Sequence, residues 1–222
     1  TAHDSRVDIT PSPRAEQVPA MQRRRLSPVG QACCKLLFAL DPDADLPIIH
    51  ASRHGDTGKI LALLDAATQS DEALSPARFS LSVHNAVLGM YSITGKSHQP
   101  LEALAACGNE FEALMSEALG YLSEREDVIV LFSDITAPEA FLHHGDYPAC
   151  ASAVALRLSR SSEDDSAWTL SATPGESLTD SAPTPLEVIA WLEQAGAEAL
   201  ACRRHHWQLS RAHAASPTPP AD

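Results

Sequence analysis

The chain has 222 residues, 44% hydrophobic and 20% charged, and its 16 basic against 29 acidic residues give a formal charge of −13. That length and apolar content suffice to bury one sizeable core, while the acidic balance excludes a general nucleic-acid binder, which needs a basic surface to neutralise phosphates. Apolar runs such as Leu36–Leu40 and Val128–Phe132 fall far short of the roughly 18 residues of a membrane span, and Thr1–Arg6 carries no apolar signal core. A cytoplasmic protein without a transmembrane segment is therefore expected.

Residues 1–20 contain Pro11, Pro13 and Pro19 with little periodicity, which predicts a loosely ordered lead-in with a short strand at Arg6 to Ile9. The main domain is expected over residues 21–211. Arg23, Arg24 and Arg25 form a compact basic cluster; they are a candidate anion site, set against the plainer reading of a solvated cap region paired with neighbouring carboxylates. Ser27-Pro28 places a capping residue before a proline at the first helical position, and Val29, Ala32, Cys33, Leu36, Leu37 and Leu40 share one helical face. That helix should stop at Asp41-Pro42.

The β-branched centre of Leu46–Ser52 predicts a buried strand, and Ile60, Leu61, Leu63 and Leu64 place a helix over Asp56 to Asp65. A mostly helical Phe79 to Ile93 follows, then a strand from Pro100 to Ala105, a helix from Gly108 to Leu122 and a strand from Asp127 to Ser133. Alternation of this kind predicts an α/β fold, a central sheet flanked by helices. Ala149 to Leu158 and Ser166 to Ala172 have the spacing of a hairpin joined by the acidic loop Ser159 to Asp165. Thr173 to Pro185 reads as a connector, Leu186 to Leu200 as an amphipathic helix, Cys202 to Leu209 as a final edge strand, and residues 212–222 as a disordered tail.

The five cysteines, Cys33, Cys34, Cys107, Cys150 and Cys202, are scattered and lack C-x-x-C spacing, which predicts mostly buried free thiols. Ser52-Arg53-His54-Gly55-Asp56 sets serine, histidine and aspartate side by side, but a catalytic triad is assembled in space, and no G-x-S-x-G elbow is present. His143-His144 and His205-His206 are adjacent pairs whose side chains point apart, so no metal site is expected. Two candidates for chemistry remain. Cys107 stands at a helix start, where the dipole favours a thiolate, and His84 lies in an apolar segment, where a structural role is commoner. Phe111, Leu114, Met115 and Ala118 recur at helical spacing and read as core.

Several motifs in one order resemble those of condensing enzymes: Ser75-Pro76, Asn85-Ala86-x-x-Gly89-x-x-Ser92-Ile93, Gln99-Pro100, the Cys107 region and Val128–Phe132. Narrower matches at Val18-Pro19-Ala20-Met21, Arg23-Arg24-Arg25-Leu26-Ser27, Ala51-Ser52-Arg53-His54-Gly55-Asp56 and Phe79–Ala86 look like the short β-ketoacyl-synthase-like proteins called chain length factors, found with aryl polyene pigments. The resemblance implies half of a thiolase-like fold, with a mixed central sheet flanked by helices. It also implies a heterodimer with a full-length ketosynthase, through the strand Pro100, Leu101, Glu102, Ala103, Leu104, Ala105 and Ala106.

Counting from Pro100, the eighth residue, where the family has its nucleophile, is Gly108, and Cys107 is the seventh. The motifs that supply the assisting histidines of a ketosynthase are absent from this sequence. The resemblance therefore implies a non-catalytic subunit, with Cys107 a small packed residue beside an absent nucleophile. Phe111, Leu114, Met115 and Ala118 become candidates for the acyl tunnel or interface. No cofactor is implied beyond the acyl chain carried on the phosphopantetheine of a carrier protein, which should dock mainly on the partner, with Arg23, Arg24 and Arg25 the local exception. The alternative is a truncated but active acyl-transferring enzyme that uses Cys107, with His84.

Overall fold

A computed structural model describes residues 14–69, 75–141, 147–160, 167–175 and 182–211. In chain order the elements are α1 (Ala20–Arg23), α2 (Pro28–Leu40), β1 (Ile48–Ala51), α3 (Thr57–Gln69), α4 (Pro76–Ser80), α5 (Ala86–Gly95), β2 (Leu101–Leu104) and α6 (Glu110–Glu124). They continue with β3 (Asp127–Asp134), β4 (Ser152–Ser159), β5 (Trp168–Pro174), α7 (Pro185–Glu193), β6 (Leu200–Ala201) and β7 (His205–Arg211). The expected strand at Arg6 to Ile9, the His143-His144 pair and the tail 212–222 lie outside the described residues.

Strand β1 pairs in parallel with β2 on one side and β3 on the other, and β4 adds antiparallel to β3, giving a mixed sheet in the order β2-β1-β3-β4. The central strands are apolar on both faces, as strands covered by helices on both sides must be. Ile48, Ile129 and Leu131 face one core with Leu37, Phe38, Leu88 and Tyr91 of α2 and α5. The alternate residues Ile49, Val128, Val130 and Phe132 face a second core with α6 and α7. Helix α2 begins as the sequence predicts: Ser27 Oγ accepts from Gly30 N at 3.3 Å and Pro28 occupies the first turn, a cap of about 1 kcal/mol.

The second half departs from expectation. Strands β4 and β5 do not form a hairpin. All eight residues of β4 pair with β3, from Asp127 opposite Ser159 to Asp134 opposite Ser152, and an Arg157–Asp127 ion pair of 2.8 Å supports that register. Strand β5 instead joins a separate antiparallel sheet, β5-β7-β6, so β7 is central and not an edge. Helix α7 ends at Glu193, because Ala195 and Gly196 both take left-handed backbone, with φ of 53° and 66°. The Leu200 end of the expected helix is strand β6.

The Phe79 to Ile93 segment is also broken. Ser82 Oγ donates back to the Phe79 carbonyl at 2.8 Å, a local bond that competes with continued helix, and α5 starts only at Ala86. Ala15 and Val18, within the expected lead-in, are fully buried in the first core. Prolines there break helical spacing without preventing apolar side chains from docking.

Candidate functional site

The three parallel strands end at one rim of the sheet, the position at which open α/β sheets place their ligands. Beyond β1 the chain continues into Ser52, Arg53 and His54, beyond β3 into Ile135, and beyond β2 into Ala106, Cys107 and Gly108. The sequence candidate Cys107 and the Ser52–Asp56 stretch therefore lie at this end, together with groups that spacing alone did not reveal.

The turn from β2 into α6 is a tight elbow with two consecutive left-handed residues, Cys107 at φ 49° and Gly108 at φ 93°. Such a φ costs a non-glycine residue roughly 1–2 kcal/mol, and two features hold it. The Asn109 amide donates to the Ala106 carbonyl at 3.1 Å. The Glu110 carboxylate turns back so that Oε1 accepts from Ala106 N at 3.2 Å and Gly108 N at 2.9 Å. Glu110 is 3% exposed, so its charge is compensated by these amides. Cys107, expected to be packed, is exposed, because its left-handed backbone turns it away from the core; Cys150 is exposed as well, while Cys33, Cys34 and Cys202 are buried.

Gly108 occupies the position at which the resemblance expects a nucleophile. A Cβ built there would lie 3.4 Å from Arg203 Nη2 and 3.7 Å from Arg53 Cζ, so two guanidinium groups cover the glycine. Arg203 is placed by the turn before β7, and Glu112 anchors that turn. Its Oε1 accepts from Arg204 N at 3.0 Å, His205 N at 2.9 Å and His205 Nδ1 at 3.1 Å. His205 is thus a partner of a buried carboxylate. Among the described residues no group of three or more His, Cys, Asp or Glu side chains is arranged to hold a metal ion.

At the other strand ends, His54 Nδ1 lies 2.9 Å from Asp134 Oδ2, and its ring packs on Tyr147 with centroids 4.6 Å apart. Asp134 is 5% exposed, and burial pushes its carboxyl up from the ordinary carboxylate range against the pull of His54. His84 Nε2 donates to the Ser52 carbonyl at 2.9 Å. Its ring stacks beside buried His50, whose Nε2 lies 2.8 Å from Ser133 Oγ. Among the described residues no hydrogen bond or ring contact joins His84 to Cys107, so the pair considered for acyl transfer is not assembled.

The tunnel candidates have a different place. Phe111, Leu114, Met115 and Ala118 are 1–2% exposed and pack on β1, β3, β4 and α7 within this chain's own core. The space Phe111, Leu114 and Met115 line with Val130 and Phe132 has no room for a water molecule. Their helical spacing marks core, and each of them is buried there.

The β2 edge, by contrast, is open among the described residues. Leu101 and Ala103 pack on one core and Leu104 on the other, while Tyr121 of α6 reaches Glu102 at 3.5 Å. Helices α5 and α6 flank it, and each leaves one large apolar side chain exposed, Ile93 at 70% and Leu119 at 64%. In the basic cluster, Arg23 Nη1 donates to the Ala15 carbonyl at 3.3 Å, and Arg24 and Arg25 are exposed.

Among solved structures, the chain is similar to that of a ketosynthase (ApeO) in complex with its chain length factor (ApeC), from Xenorhabdus doucetiae. The TM-score is 0.70 at 22% identity, over 89% of this chain and 83% of that one. It is also similar to the ishigamide ketosynthase/chain length factor, with a TM-score of 0.51 at 12% identity, over 81% of this chain and 57% of that one. These likenesses show the thiolase-like fold. A search of curated proteins gives no match. The model of the β-ketoacyl synthase N-terminal domain matches residues 2–210, and the chain belongs to that family.

Proposed function

We propose that this chain is a non-catalytic, chain length factor-like subunit that pairs with a full-length ketosynthase and bounds the acyl pocket of the complex in aryl polyene, polyketide or fatty-acid-like biosynthesis. The observation that carries the reading is the elbow. An acyl-transfer site there needs a nucleophile on the inner side of the turn and free backbone donors for the thioester oxyanion. Here the inner position is Gly108, and the Ala106 and Gly108 amides are already bonded to Glu110. A carboxylate at those donors both occupies them and opposes the approach of a second negative charge.

The partner would carry out the decarboxylative condensation on acyl chains delivered by carrier-protein phosphopantetheine. Pairing through β2 is supported by its open edge and by the exposed Ile93 and Leu119 beside it. At a formal charge of −13, this chain should leave most carrier-protein docking to the partner, since acidic surfaces repel; Arg24 and Arg25 are its local exception.

The exposure of Cys107 favours a second reading, acyl transfer through that thiol. The two separate in one experiment: co-expression with a full-length ketosynthase, with condensation measured for wild type and Cys107→Ala. Unchanged turnover in an intact complex supports the non-catalytic subunit. Lost turnover in an intact complex supports the enzyme.

A further inference from the structure

Strand β2 closes one side of the sheet with an edge that is open among the described residues. Ile48 N and Ser52 N donate to the Pro100 and Leu104 carbonyls at 3.1 and 3.2 Å, so the even-numbered residues of β2 bond β1, and the backbone groups of Leu101 and Ala103 point outward. Side chains alternate between the two faces. Leu101 and Ala103 pack on the first core and Leu104 on the second, which puts Glu102 on the α6 face with Leu104. There the Tyr121 hydroxyl donates to Glu102 Oε2 at 3.5 Å. Glu117, exposed, lies one helical turn before Tyr121 on the same side of α6. Burial, then Glu102 and Glu117, push the Tyr121 phenol up from its ordinary range while Arg125 opposes them, so both carboxylates act on one hydroxyl.

A charge on an edge strand can serve simply to block pairing. The flanking helices argue for a partner instead, because Ile93 on α5 and Leu119 on α6 are large apolar side chains left exposed on either side of β2. A second copy of this chain, related by a two-fold axis, would add antiparallel. The outward residues then meet as Leu101 with Leu101, Leu101 with Ala103, or Ala103 with Ala103. The middle register sets Glu102 directly opposite its copy, with Cα atoms about 4.5 Å apart, and the other two set the pair on a diagonal of about 7–8 Å. Both α6 helices lie on that same face, so the Glu117 side chains add to the repulsion. Each register therefore juxtaposes like charges, which costs affinity, whereas a cation in the facing strand turns the same geometry into attraction.

We propose that Glu102, with Glu117 beside it, determines which strand the β2 edge accepts: it turns away a second copy of this chain and takes a partner strand that presents a lysine or arginine opposite it on the α6 face. The proposal rests on the pairing through β2 proposed above and adds the chemistry of the partner.

The test follows sedimentation of the intact chain as wild type, as Glu102→Lys and as an equimolar mixture of the two. Each form alone should be monomeric. The mixture should form a dimer at least about tenfold tighter than either self-pair, weakened by salt and lost when either form also carries Ala103→Pro. Glu102→Gln, which keeps the shape of the side chain, should increase self-association of the chain alone, and it decides if the lysine variant does not fold. A wild-type dimer that Ala103→Pro dissolves, a mixture no tighter than its components, or unchanged self-association of Glu102→Gln would each overturn the proposal. Against a full-length ketosynthase, Glu102→Lys should weaken association about tenfold. Equal association of the two forms overturns the proposal alone, whereas no association by the wild type overturns the pairing on which it rests.

Discussion

Glu110 is the residue on which the elbow depends. Its carboxylate satisfies two amides of a strained turn, so Glu110→Ala leaves the buried Gly108 amide and the half-buried Ala106 amide unpaired and should destabilise the chain by about 1–3 kcal/mol in denaturant unfolding, whereas Glu110→Gln keeps an acceptor and should lose less. Equal stability of all three would remove the cap from the account. The thiols provide a second check at this scale. Burial pushes Cys33, Cys34 and Cys202 each up to about 12, so iodoacetamide at neutral pH should alkylate only Cys107 and Cys150 among the five in the folded protein, read by mass spectrometry. His50 sets a pH dependence. Its folded pKa of about 3 lies below the ordinary 6.5, so between those values the unfolded chain binds the extra proton and stability falls as pH is lowered, by on the order of 5 kcal/mol over the full interval. Asp134, whose carboxyl is raised, acts in the opposite sense. Urea midpoints from pH 7 to pH 4 should fall less for His50→Gln than for wild type.

At the scale of elements, strand β2 makes the sharpest prediction. Ile48 N donates to the Pro100 carbonyl at 3.1 Å and Ser52 N to the Leu104 carbonyl at 3.2 Å. The alternation of a parallel ladder then turns the Ala103 amide outward, away from β1. A proline at 103 therefore spares the internal ladder and blocks an added strand. Ala103→Pro should fold with a melting temperature near that of wild type and lose association with a ketosynthase partner in gel filtration. Phe111→Ala, by contrast, opens a cavity between α6, β3 and β7 and should cost about 3–5 kcal/mol. A change of product length by a conservative Phe111→Leu in a working complex, with stability intact, would give Phe111 a tunnel role beside its place in the core.

These elements also show how far a sequence can be read. Helices α2 and α6 and strands β1 and β3 were legible because each buries a continuous apolar pattern and meets a clear stop. The β4–β5 hairpin was not, because local alternation identifies strands without naming their partners: Ser152–Ser159 prefers the long buried β3 to its neighbour in sequence. Cys107 and His84 stood out by residue type. Glu110, Asp134, Ser133 and the unpaired nitrogen of His50 did not, since carboxylates and hydroxyls acquire meaning only when distant strand ends meet.

For the whole molecule, one mixed sheet covered on both faces, with three parallel strand ends at one rim, supplies a thiolase-like frame. Its elbow is filled by the chain's own glycine and carboxylate. At β2 the frame presents an open strand edge with the exposed Ile93 and Leu119 beside it, on a strongly acidic chain. On the proposed reading, such a chain works through association with a partner. The most direct measurement is condensation by a full-length ketosynthase co-expressed with the wild-type chain, Cys107→Ala or Ala103→Pro, with co-purification scored in parallel. The account predicts a complex with full turnover for wild type and Cys107→Ala, and neither complex nor turnover for Ala103→Pro. An intact complex that loses turnover with Cys107→Ala, or full association by Ala103→Pro, would contradict it.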